Sequence, residues 1–128
     1  MLGDIINAVK ETATPYPDQL LMKIDIELFE CRAILGSPEV LTGPKSIPFI
    51  AVVMEWVFLR NNGEYTDQCP KEKVVELAKF FLDNGFTPFF VDVYNGHLSK
   101  LSVLQYGAEW NCDVAWLHNS ITENATLV

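Results

Sequence analysis

Ile47-Pro-Phe-Ile-Ala-Val-Val-Met-Glu-Trp-Val-Phe-Leu-Arg60 holds the longest apolar run of the 128-residue chain, with Glu55 as its one charge before Arg60. A bilayer needs about 20 such residues, so the run belongs in a protein core. Ser46 is a good N-cap, and Pro48 falls in a first helical turn, where its missing N–H costs nothing. Asn61-Asn-Gly63 supplies a C-terminal stop. The stretch therefore reads as a core helix from Ile47 to about Arg60, apolar nearly all round and covered on most sides.

Working outward, Asp4 to Glu11 suits a short helix with Ile5, Ile6 and Val9 on one side, ended by Thr14-Pro-Tyr-Pro17. Asp18 can cap a second helix over Gln19–Leu35, where Leu20, Leu21, Ile24, Leu28, Cys31 and Leu35 recur at spacings of three and four. The Ile24-Asp-Ile-Glu-Leu28 alternation also suits a strand. Downstream, Pro70 opens a helix over Lys71–Asp83 with Val74, Leu77, Ala78, Phe81 and Leu82 on one face, and Asn84-Gly85 ends it. Phe86 to Tyr94 reads as extended because Thr87-Pro88 prevents helix, and Asn95-Gly96 is a turn. Leu98–Tyr106 and a stretch through Trp116 and Leu117, capped by Asn111 or Asp113, complete the predicted helices. Residues from Thr122 onward read as a tail.

Val74-Val-Glu-Leu-Ala-Lys-Phe-Phe-Leu-Asp-Asn-Gly-Phe-Thr-Pro88 resembles the second helix and exit turn of an ankyrin repeat. Asp92 and Gly96 resemble the Asp…Gly pair of that family's β-turn finger. The resemblance is specific over 74–88 and weaker over 43–119. Its Thr-Pro-Leu-His tetrapeptide is absent, and Phe49 or Ile50 stands where the histidine would be. It implies a mainly α fold, a short stack of antiparallel helix pairs with an extended finger at about 86–96; the alternative is a single α+β domain. The expected organisation is one domain over 1–128. Within it, 1–42 form an N-terminal helical cap, 43–96 a first ankyrin-like unit, 97–121 a second partial unit and 122–128 a tail.

Nine Lys and Arg against 17 Asp and Glu leave a net charge of −8. Such a surface repels phosphate backbones and argues against nucleic-acid binding, while it steers a basic partner toward the protein. The N-terminus carries an acid where a signal peptide carries its basic region, and no apolar run is long enough to span a membrane. The expectation is a cytoplasmic protein, monomeric or weakly dimeric, with no membrane partner. Asn124-Ala-Thr126 matches a glycosylation triplet, read as chance without a secretory signal. Three widely spaced cysteines, Cys31, Cys69 and Cys112, read as buried free thiols.

No phosphate loop, nucleophile elbow or close cysteine pair is present, so no cofactor, metal or catalytic residue is assigned and the chain reads as non-enzymatic. The ankyrin resemblance implies Asp92, Tyr94 and Asn95 as finger residues that contact a protein. Glu64, Tyr65 and Asp67 in the long inter-helix loop, and Trp110 at a helix break, join them as aromatic and acidic candidates for a partner-binding surface. Trp56 and Trp116 read as core. The sharper form of this expectation is an acidic inhibitor or immunity-type protein for a basic partner. Two alternatives stand beside it: a small enzyme or metal-binding regulator using Cys112 and His118, and a structural homo-oligomer subunit pairing through Phe86, Phe89 and Phe90.

Overall fold

The computed structural model describes residues 19–26, 28–42, 49–56, 59–60 and 64–122, the last short pair by backbone alone. The expected Asp4–Glu11 helix, the Asn61–Gly63 stop and all of the expected 122–128 tail except Thr122, which is helical, lie outside the described residues. The chain runs β1 (Leu20–Ile24), α1 (Glu30–Leu35), a 3-10 turn (Pro38–Val40), β2 (Phe49–Trp56), β3 (Leu59–Arg60), β4 (Glu64–Tyr65), α2 (Lys71–Asp83), β5 (Phe86–Asp92), β6 (His97–Lys100), β7 (Cys112–His118) and α3 (Asn119–Thr122).

Five of these strands form one sheet in the order β1-β2-β7-β5-β6, and β3 with β4 makes a separate two-stranded hairpin. β1 pairs parallel with β2, while β7 runs antiparallel to both β2 and β5. β1, β2 and β5 therefore point the same way, with α1 and α2 in the crossovers between them. Both helices lie on one face, because Cys31 and Ile34 of α1 and Val74, Leu77, Ala78 and Phe81 of α2 share a core cluster with Val52, Met54, Trp56, Val114 and Trp116. On the opposite face Ala51, Phe89, Ala115 and Leu117 form a smaller cluster with Val53, Val91, Leu98 and Ile121 packed against it.

This architecture corrects the mainly α, ankyrin-like stack: the protein is a mixed α/β fold built on a five-stranded sheet. The core helix expected over Ile47–Arg60 is strand β2, rich in the branched and aromatic residues that suit a pleated surface. Its apolar residues alternate between the two sheet faces, and both faces are covered. A strand buried on both sides carries a near-continuous apolar run, which imitates a helix apolar all round. The same cause turns the expected last helix into β7, with Val114, Ala115, Trp116 and Leu117 all buried. The helix expected over Gln19–Leu35 divides into β1 and α1, and Leu98–Tyr106 is β6 followed by a loop.

α2 lies where its period places it. Val74, Leu77, Ala78 and Phe81 recur at helical spacing and are fully buried. The helix stops at Gly85, whose φ of +82° suits glycine. A Cβ there would lie 3.3 Å from His118 Nε2, and the Gly85 carbonyl accepts the Asn119 N–H at 2.8 Å. The same glycine thus ends α2 and seats the end of β7.

The centre of the core is aromatic. Phe81 stacks on Trp116 at 4.6 Å between ring centroids, and Trp116 lies 5.6 Å from Trp56 and 5.9 Å from Trp110. Cys31 and Cys69 are joined as a disulfide, their Cα atoms 5.7 Å apart and both residues buried. That pairing corrects the expectation of three free thiols; Cys112 alone is free.

Candidate functional site

Because β1, β2 and β5 point the same way, their carboxyl ends and the loops leaving them gather at one end of the sheet. Trp56 pairs with Cys112 there, and Asp92 lies two residues past the Phe90–Val114 pair. In open sheets of this kind, loops outside the carboxyl ends of the strands are where binding residues collect.

The β5–β6 turn is built by Asp92. Its Oδ1 accepts the N–H groups of Tyr94 and Asn95 at 3.0 and 3.1 Å, and its Oδ2 accepts the Asn95 side-chain amide at 2.8 Å. The Gly96 N–H closes the turn on the Asp92 carbonyl at 2.9 Å, with Gly96 at a φ of +68°. These bonds, the Asn95 side-chain amide first, hold the Asp92 carboxyl below its ordinary range, with a smaller contribution from nearby His97. The result is a turn closed by its own hydrogen bonds that carries Tyr94 outward, 95% exposed.

Glu64 is exposed on β4 and Tyr65 is half-buried beside it. The Tyr65 hydroxyl donates to the Ala108 carbonyl, which ties this hairpin to the 101–110 loop, and burial pushes the phenol pKa up. Asp67 lies further on, at a cleft of about 400 Å³ that Arg32, Gln68 and Lys73 also line. Trp110 departs from its expected exposure: it is 7% exposed, packs 5.4 Å from Trp56 and donates its indole N–H to the Ser102 carbonyl at 3.1 Å. It supports the site from beneath. The structure thus joins Glu64, Tyr65 and Trp110 through one loop, and places Asp92, Tyr94 and Asn95 on a separate turn at the same sheet end.

Glu55 and Asp113 are the residues that sequence reasoning missed. They face one another directly across β2 and β7, on the sheet face away from α1 and α2. Like charges opposite one another in a sheet disfavour the pairing, and here they add to the acidity of this end. Nothing local in the sequence signals the pair, because only the register brings it together.

Cys112 and His118 do not meet. They occupy opposite ends of β7, about 20 Å apart at roughly 3.3 Å per residue. Burial and the Asp113 charge push the Cys112 thiol pKa up, which leaves it a poor nucleophile at neutral pH. His118 Nδ1 lies 2.7 Å from the Ser120 hydroxyl and its ring sits edge-on to Phe86. Among the described residues no group of three His, Cys, Asp or Glu side chains is arranged to hold a metal ion, and no helix is long and apolar enough to cross a membrane. Of the phenylalanines expected to pair copies, Phe86 and Phe89 are buried and Phe90 is exposed. Comparison with protein-family models, with curated proteins and with solved structures returns no match to this chain.

Proposed function

We propose that this is a non-enzymatic domain that binds a basic protein through the loops at the carboxyl ends of β1, β2 and β5. The observation that carries the reading is Tyr94: a large aromatic side chain, 95% exposed, on a turn locked by Asp92. A fixed turn backbone spares part of the ordering cost of binding, and tyrosine is among the residues that dominate interface energies. The acids Glu64, Asp67, Glu109 and Asp113 are exposed on other loops and strands of the protein, and the overall charge of −8 steers a cationic partner inward. An inhibitor of a basic enzyme is the sharper form of the same reading. The buried Cys31–Cys69 disulfide favours an oxidising compartment over the reducing cytosol for the working protein.

The test is capture of partners by the wild-type protein and by Tyr94→Ala, at low and high salt. A basic partner held at low salt, weakened by salt and at least about tenfold weaker on Tyr94→Ala is expected. Equal capture by both proteins, or none by either, overturns the proposal.

A further inference from the structure

A second surface lies on the helical side, between α1 and α2. Positions 72, 75, 76, 79, 80 and 83 form one continuous stripe of α2, and with Leu35 of α1 they line a groove of about 400 Å³. Its floor is apolar, made by the half-buried Leu35, Val75 and Phe80. Its rim carries three exposed carboxylates, Glu72, Glu76 and Asp83.

The single lysine of the stripe offsets only part of the charge of those three carboxylates. Lys79 sits over the Tyr106 ring at 4.7 Å, on the side where the 101–110 loop crosses the helix. Lys73 offsets part of the charge by pairing with Glu76 at 2.7 Å, one turn from the helix start. Toward the C-terminus the last turn of α2 has no base, and Asp83 lies at the pole where the helix dipole is already negative. An acid at that pole opposes helix stability, and a cation supplied by a partner would relieve it.

We infer that this groove receives a basic amphipathic helix of a partner protein, its apolar stripe on Leu35, Val75 and Phe80 and its Lys or Arg side chains against Glu72, Glu76 and Asp83. Helix-in-groove recognition needs an apolar floor with complementary charge at its margins. The inference takes its class of partner from the proposed function, but places the contact on a different face, away from the Tyr94 turn.

The experiment uses the full chain and a fluorescein-labelled peptide with leucines at i, i+3, i+4 and i+7 and lysines on its other face. Anisotropy is read at low salt beside a scrambled peptide of the same composition and a counterpart with Glu in place of Lys. The expected result is binding of the basic amphipathic peptide alone, at least tenfold tighter than the scramble. Glu72→Lys/Asp83→Lys, a surface change with the fold checked by circular dichroism, and Val75→Ser are each expected to weaken it at least tenfold, with Tyr94→Ala unchanged. No binding, equal binding of the scramble, or indifference to the α2 variants overturns the inference. If instead the peptide is lost on Tyr94→Ala but not on the α2 variants, the groove falls and the proposed function stands. If the groove variants respond while Tyr94→Ala changes no partner capture, the groove stands and the loop surface falls.

Discussion

Gly96 and Gly107 share a left-handed backbone conformation, at φ of +68° and +74°, in loops of opposite character. Around Gly96 an added Cβ would meet nothing within 4 Å. Around Gly107 it would meet Trp110 at 2.8 Å and Trp56 at 3.0 Å, and the Gly107 carbonyl accepts the Trp56 indole N–H at 2.9 Å. The 93–96 turn takes its shape from its own four residues and Asp92. The 64–70 and 101–110 segments take theirs from the core, through the disulfide, Tyr65 and the tryptophans. A pinned loop contributes stability, whereas a self-closed turn can spend its exposed side chains on a partner.

The sharpest way to test the contrast is to release the pinned side. Cys31→Ser/Cys69→Ser, or reduction by a thiol, removes a link across 38 residues, with an expected loss of about 4 kcal/mol on the chain-entropy model, read by urea denaturation. Next, Gly107→Ala forces a Cβ into two indole rings and strains the backbone. A loss of about 2–3 kcal/mol is expected, and a loss below about 1 kcal/mol would mean that the loop is not pinned. Tyr65→Phe removes the hydroxyl that holds Ala108 and should cost about 1 kcal/mol.

The smallest effect belongs to the self-closed turn. Its Asp92 carboxyl titrates below the ordinary carboxylate range when folded, chiefly through the Asn95 side-chain amide. A lowered folded-state pKa means that the turn's contribution is complete above about pH 4 and is lost as pH falls through the lower folded value. The acid-range movement of the Tyr94 and Asn95 amide shifts should therefore report Asp92, leaving global stability at neutral pH untouched. Shifts that stay fixed throughout the acid titration would break the comparison.

The same division explains what was legible in the sequence. α2 and β5 can be read directly because their signals are local. Val74, Leu77, Ala78 and Phe81 mark one helical face, Asn84-Gly85 stops it, and Pro88 keeps the next segment extended. The Asp92–Gly96 turn is legible for the same reason, since its bonds span four residues or fewer. β2 and β7 hide their period because Ala51 and Val53 are covered on one face as Val52, Met54 and Trp56 are on the other. On the site, Tyr65 to Ala108 spans 43 residues, and the Glu55–Asp113 pair depends on sheet register. Such pairings leave no mark on either segment alone. The disulfide is equally silent, as neither cysteine has a close neighbour of its own kind.

That cross-link also changes what a cut in the backbone does. Residues 31 to 69 form a closed ring that includes α1, β2 and the β3–β4 hairpin. A protease that breaks one peptide bond inside this ring leaves a single molecule of unchanged composition apart from one added water, visible as two fragments only after reduction. A cut between α2 and β7, outside the ring, leaves the C-terminal strands joined to the rest only by sheet pairing and core packing. Nicks of the first kind therefore keep one covalent molecule, and those of the second do not.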